Sequence, residues 1–387
     1  MYRDSEKFWC VIMRGGTSRA VFLMENELPA DPELKNRIIL AIFGSPDTRQ
    51  IDGIAGADPL TSKLAVIGPP SVPGADLNYT FGQVDINSTF IDYGSNCGNI
   101  SSAVGPYAIE QGLVRAVEPV TKVRIYNTNT QKMLVAEIPV KDGKPVVKGD
   151  YRIAGVPRPG AHLKIDFAGT AGSKTGKLLP TGNVKDVLDV PGVGKITVSL
   201  VDAASPMVFV KAEDLGLTGT EPPKEVDGDR ELLDRLERIR AMAAFKIGLV
   251  ANWRDATAGM RAVPLIAFVS PPRAYESFTT GETIGAEAVD FVSRCMFMQV
   301  MHKTYSGTAT VCTGAAAAIE GTVVNDAMGA KPQNGIIRFG HPSGVIEAEI
   351  AVEKENGAHV LKRAAIGRTA RRIMEGYIYV PRYYLDD

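Results

Sequence analysis

Two stretches of small, uncharged residues, one in each half of the chain, restrict what it can fold into more than any other feature. In the first, Asn96-Cys97-Gly98-Asn99 leads into Ile100-Ser101-Ser102-Ala103-Val104-Gly105; in the second, Val311-Cys312-Thr313-Gly314 leads into four alanines. Neither stretch reaches a carboxylate before Glu110 or Glu320. A helix without a polar face has to be buried on every side. The pattern therefore predicts a helix at 98–111 and another at 313–324, each running through the middle of its own domain, in two similar domains that face one another across a cleft.

The chain has 387 residues, beyond the roughly 250–300 at which a single core stops growing. Segments rich in β-branched and aromatic residues predict strands at 8–13, 20–24, 63–68, 77–86, 122–127, 132–140, 162–168, 195–202, 207–211, 263–269, 336–339 and 345–353. Besides the two buried helices, helical patterns occur at 31–43, after Asp31-Pro32, and at 229–250. Runs of strands with few helices between them predict an α+β protein with mixed sheets rather than a doubly wound parallel one. The Gly- and Pro-containing stretch around 180–194 reads as the linker, giving domains 1–184 and 185–371.

The 43 basic and 44 acidic residues leave a net charge of −1 with no basic block. That balance offers no footprint for nucleic acid or an anionic membrane. No run approaches the roughly 18–20 apolar residues that cross a bilayer. The opening MYRDSEKFWCVIMRGG lacks a secretory pattern, so a cytoplasmic location is expected. No GxGxxG follows a strand, and no Walker or HExxH sequence occurs. Cys10, Cys97, Cys295 and Cys312 have neither CxxC nor zinc-like spacing, and the four histidines have no metal-like spacing. Neither a metal nor a cofactor is expected.

Cys97 stands between Asn96 and Gly98-Asn99 at a helix start, among backbone N–H groups that lack helical partners. Those groups can cradle a carboxylate, and Gly98 leaves room for close approach. Free cysteines are more often small core hydrophobes, but Asn-Cys-Gly-Asn is a poor context for that role. Cys312, followed by Thr313 and Gly314, reads as a second such start. Cys10 and Cys295 lie in apolar strand-like runs and read as core. Lys63 stands after Ser62, where a polar loop enters an apolar strand; burial disfavours a charged amine, which would suit a base. Arg14-Gly15-Gly16-Thr17-Ser18 joins two strands and offers a guanidinium, hydroxyls and backbone donors to a carboxylate, although most such loops are only turns. His302 and His341 are further candidate contacts, with structural roles equally open.

Taken together and in order, Met13-Arg14-Gly15-Gly16-Thr17-Ser18, Gly44-Ser45-Pro46-Asp47 with Gln50-Ile51-Asp52-Gly53, Thr61-Ser62-Lys63, Asn96-Cys97-Gly98-Asn99, Leu179-Pro180-Thr181-Gly182-Asn183 and Gly340-His341-Pro342-Ser343-Gly344 resemble the PrpF family over nearly the full chain. The resemblance implies a diaminopimelate epimerase-like fold: two pseudo-symmetric domains, each a mixed sheet around a central helix, with the active-site cleft between them and the tail 372–387 packing back onto the first. It implies a cofactor-independent isomerase that shifts a proton and a double bond in a small unsaturated di- or tricarboxylic acid of the methylitaconate, oxalomesaconate or methylaconitate type. Lys63 and Cys97 stand where the family has its essential lysine and cysteine, and Ser18 where a residue lines the pocket. Cys312 matches a second thiol position, catalytic in related epimerases. The family's TSKG reads Thr17-Ser18-Arg19-Ala20 here, and its second double glycine reads Ile54-Ala55-Gly56-Ala57. A homodimer or homotetramer is compatible with the resemblance. Three alternatives stay open: a racemase using Cys97 and Cys312 as paired thiols, a non-catalytic protein that holds the acid for a dehydratase, and a cysteine hydrolase, which lacks an obvious partner histidine.

Overall fold

A computed structural model describes residues 4–94, 96–153, 155–261, 263–329 and 333–385. They form two compact units, 1–165 with 367–387, and 166–366. Among the described residues no helix is long and apolar enough to cross a membrane.

In the first unit β1 (Ser5–Gly15) and β2 (Ser18–Met24) make a hairpin around Gly16 and Thr17. Helix α1 (Pro32–Phe43) follows, with the Asp31 carboxylate capping Leu34 N–H at 2.7 Å and Gly44 in the left-handed region at its end. Strands β3 (Lys63–Gly68) and β4 (Leu77–Val84) come next, then α2 (Gly98–Glu110). The sheet runs Ala370–Pro381, β1, β2, β3, β4, Val120–Asn127, Lys132–Lys141, with β2–β3 and β4–Val120–Asn127 parallel and the remaining pairs antiparallel. Helix α2 touches both Ala370–Pro381 and Lys132–Lys141, the two ends of that order, so the sheet curls around it. Its residues from Ile100 to Ile109 are all buried. Phe22 meets Tyr107 across the helix–sheet interface, with ring centroids 5.0 Å apart. Each side chain of this size taken fully out of water contributes about 1.5–3 kcal/mol.

The second unit repeats the plan. Asp186–Val190, Gly194–Ala203, Ser205–Lys211, Leu265–Ser270, Phe291–Phe297, Ile336–His341, Gly344–Glu355 and Ala358–Arg368 pair in that order, again with two parallel joins. The central helix is Gly307–Ala318. The repetition extends to single bonds. In the first unit Asp76 N–H donates to Arg124 O at 2.8 Å and Arg124 N–H to the Asp76 carboxylate at 2.7 Å. In the second, Asp290 and Arg338 repeat both bonds at 2.7 and 2.6 Å. Gly105 of α2 lies where a side chain would strike Ile138 and Ala136; Gly314 lies where one would strike Ile350, beside Ala348. The expected α+β fold of diaminopimelate epimerase type, two pseudo-symmetric domains each with a mixed sheet around a central helix, is the fold found.

The repetition also corrects one expectation. The second central helix begins at Gly307, not near Thr313, because the Ser306 hydroxyl accepts Ala309 N–H at 3.1 Å and caps it; a separate helix, Val323–Ala327, follows. Cys312 is therefore in mid-helix, and the residue that caps the second helix as Cys97 caps the first is Ser306. The linker reading of 180–194 also changes, since Asp186–Val190 is a strand. Residues 166–184 group with the second unit, so its contacts begin at 166 rather than 185. Bonds to Gly194–Ala203 hold them there: Gly172 N–H to Asp202 O at 2.8 Å, and Asp202 N–H to Leu178 O at 2.9 Å.

Candidate active site

Strand β4 presents Tyr79, Phe81 and Gln83 at alternate positions, so all three project to one face. Lys63, the first residue of β3, is directly opposite Gln83. It is only 8% exposed, and its Nζ donates to Gln83 Oε1 at 2.6 Å. The Gln83 amide is itself fixed, because its Nε2 donates to Pro59 O at 3.1 Å and Ser62 O at 2.9 Å. Nζ lies over the Phe81 ring, 5.3 Å from its centroid, so the side chain leans along β4 towards Tyr79. Tyr79 is wholly buried, and its hydroxyl makes no hydrogen bond among the described residues. Burial pushes that phenol well above its ordinary value; the Cys97 thiol nearby adds to the rise and the neighbouring Ser101 hydroxyl opposes it.

Cys97 is half-buried and caps α2 from extended backbone. No side chain caps this helix end, and the first intrahelical bond is Ser101 N–H to Cys97 O at 2.9 Å. The N–H groups of Gly98 and Asn99 thus lack helical acceptors, next to the sulfur and at the positive end of the helix dipole. Asn96 Oδ1 accepts from Ser101 Oγ at 3.2 Å, and Asn99 Nδ2 donates to Thr17 Oγ1 at 3.0 Å. Gly15 is required at this meeting of loop and helix: a Cβ there would lie 2.3 Å from Asn99 O. In the first unit, then, the structure joins Thr17, Asn96, Cys97, Gly98 and Asn99 in one group.

Other candidates have different surroundings. Arg14 Nη1 donates to Gly16 O, Thr369 O and Thr369 Oγ1 at 2.9, 2.9 and 3.0 Å, which makes it the latch of its own loop. The Ser62 hydroxyl is buried between Val84 O and Gln50 Nε2, at 2.9 and 2.8 Å. Ser18, 3% exposed, has a buried hydroxyl with no hydrogen-bond partner among the described residues. In the second unit Cys312 is wholly buried, its Sγ 3.3 Å from Val201 O, and Thr313 Oγ1 shares a 2.9 Å bond with Tyr305 OH. Burial pushes the Cys312 thiol well above its ordinary range; the Ala203 N–H bond opposes this and the Asp202 carboxylate adds to it. A thiol held in that state is a poor base, and Gly314 serves helix packing. His302 Nδ1 accepts from Thr304 N–H at 3.1 Å, and burial lowers its pKa. His341, also buried, accepts Ser343 N–H at 3.2 Å. Among the described residues no three or more His, Cys, Asp or Glu side chains come together as a metal site.

Sequence reasoning missed Gln83, Phe81 and Tyr79. The available signal was a glutamine in phase with two aromatics on a strand opposite the candidate lysine.

Comparison with known proteins identifies the family. The family model described as PrpF protein matches residues 5–381. The chain is 54% identical over 379 residues to the 3-methylitaconate isomerase of Eubacterium barkeri, covering 98% of each. It is 40% identical over 383 residues to the 2-methyl-aconitate isomerase of Shewanella oneidensis, covering 96% of each. The crystal structure of a methylitaconate-delta-isomerase superposes with a TM-score of 0.93 at 54% identity, over 99% of this chain and 98% of that one. By sequence and fold the chain belongs to the PrpF family and is one of its isomerases.

Proposed function

We propose that this isomerase shifts a proton across the allylic system of a methylitaconate-type diacid, with Lys63 and Cys97 handling the proton. The observation that carries the reading is the single face of β4, where Gln83 and Phe81 hold the Lys63 amine and Tyr79 lies by Cys97. The choice of acid is supported by the 54% identity to a 3-methylitaconate isomerase against 40% to a 2-methyl-aconitate isomerase.

In such a substrate one carbon carries a carboxylate and adjoins a C=C bond that bears the second carboxylate. One of the pair, unprotonated at the start, removes the proton from that carbon. The electron pair spreads into that carbon's own carboxylate and, through the double bond, onto the terminal methylene carbon, as a dienolate. The other residue, protonated at the start, gives its proton to the terminal methylene carbon, which becomes a methyl group. The double bond has moved one position, nothing has left the substrate, and the two residues have exchanged protonation states. Charge gathering on the carboxylate needs donors placed in advance. The open N–H groups of Gly98 and Asn99 supply them, with the Ser18 and Thr17 hydroxyls and the Asn96 and Asn99 amides completing the polar wall of the first unit. Arg14 and Ser62 hold this wall in place rather than touch the acid. Cys312 has no part in the reading, and neither a redox step nor a hydride appears in it.

Proton NMR in deuterated water with methylitaconate, methylaconitate, aconitate and oxalomesaconate tests the proposal. Methylitaconate isomerises fastest, with deuterium entering the new methyl group. A faster reaction with another of these acids overturns the substrate assignment, and no exchange with any of them overturns the reaction.

A further inference from the structure

The α2 start has a cation beside it that none of the sequence motifs indicated. Residues 367–369 return to the first unit alongside the β1–β2 turn: Gly16 N–H donates to Thr369 O at 2.9 Å, and Gly15 is in register with Ala370. The same turn is pressed against Asn99. Arg368, the residue before Thr369, is half-buried; its Nη1 donates to Gly367 O at 2.8 Å, whereas its Nε is buried with no partner among the described residues. Burial pulls this guanidinium below the usual arginine value, and the nearby Tyr151 and Cys97, negative when ionised, act in the opposite direction. Two other arginines of the unit have carboxylates: Arg372 has Glu110 at 2.7 Å and Arg124 has Asp76 at 2.7 Å. Arg368 has none within salt-bridge distance among the described residues. A guanidinium Nε out of water without an acceptor is costly, and the planar donors of the group match a carboxylate.

We propose that Arg368 binds one of the two substrate carboxylates, the one nearer Cys97, and so makes the site select a diacid over the corresponding half-acid. This rests on the isomerase reading above for the identity of the substrate, but the group recognised is simply a carboxylate held near the sulfur. With one carboxylate on Arg368, the reactive carbon is tethered at one end while the rest of the acid meets Lys63.

The test is calorimetric titration of the wild-type protein, Arg368→Gln and Arg368→Lys with succinate and with monomethyl succinate, none of which requires turnover. Arg368→Gln weakens succinate binding roughly ten- to a hundred-fold, the loss expected for a charge-assisted hydrogen bond, and weakens monomethyl succinate much less, since its ester can occupy that end. Arg368→Lys falls between, because the charge stays and the paired donors go. Equal losses for both ligands, or none, overturn the proposal. Should Arg368→Gln not fold, the lysine variant decides: its succinate affinity falls several-fold, and wild-type affinity overturns the assignment. Wild-type protein that binds succinate through Arg368 yet exchanges no proton with any of the four acids would sink the isomerase reading and leave the carboxylate site standing.

Discussion

Lys63 donates to Gln83 Oε1 at 2.6 Å while the other end of the same amide donates to Pro59 O and Ser62 O, so the amine is aimed by a side chain that cannot itself turn. Replacing Gln83 with Leu removes both the acceptor and the tether on the loop. We expect kcat/KM to fall roughly ten- to a hundred-fold, the worth of one hydrogen bond to a charged group. The loss should be mainly in kcat, since the substrate carboxylates are held elsewhere. Steady-state kinetics check this, and a change confined to KM contradicts it.

Gly15→Ala tests the packing of the turn on α2. Its Cβ would lie 2.3 Å from a backbone oxygen, so the helix start has to move. Overpacking of this sort costs about 1–3 kcal/mol. Urea unfolding should show that loss, and turnover should fall by more than the loss of folded protein explains, because Asn99 and the Cys97 backbone move with the turn. Near-normal turnover in the folded variant contradicts this.

Cys312→Ala separates this isomerase from a two-thiol racemase. The thiol is buried in mid-helix against Val201 O. Its removal costs about 1 kcal/mol of stability for the lost packing and leaves the isomerisation rate close to wild type. A rate loss as large as that of Cys97→Ala would bring the paired-thiol reading back.

Buried thiols make the fold sensitive to alkali. Burial raises Cys10 from 9.0 to about 11 and Cys295 from 9.0 to about 12. Above pH 9 the unfolded chain has lost these protons while the folded chain keeps them, so unfolding is favoured as pH rises. The stability contributed by the neutral thiols is complete below pH 9 and is lost from there up to about 11 and about 12 respectively. Each such group can take away about 1.4 kcal/mol per pH unit. Melting temperatures from pH 7 upward should decline more steeply for the wild type than for Cys10→Ala and Cys295→Ala, each compared with its own value at pH 7. Parallel curves contradict this.

Much of the fold was legible because its signals are local. Alternating strands and a charge-free helix carry their patterns in consecutive residues, and Asp31-Pro32 and Gly44 mark the ends of α1. What failed depended on a competitor nearby. The helix start was placed near Thr313 on the strength of the alanines, but Ser306 is a true cap six residues earlier than Cys312 and the intervening Gly-Thr-Ala-Thr-Val continues the helix. The strand Asp186–Val190 was hidden by the Gly and Pro around it. At the proposed site, Lys63 and Cys97 are visible through motif and context. Gln83, Tyr79 and Arg368 are not, since their meaning comes from strand register and from the chain's late return to the first unit. Arg14, which reads as a carboxylate clamp, has its Nη1 engaged by Thr369, a residue more than three hundred positions away.

The most direct test of the central claim is the rate of deuterium entry into methylitaconate in deuterated water, measured by proton NMR for the wild type, Lys63→Ala and Cys97→Ala. If these two residues carry the proton, the wild type exchanges and each variant, shown to be folded, loses nearly all exchange and isomerisation together. Either variant exchanging at close to the wild-type rate would contradict the assignment of its residue.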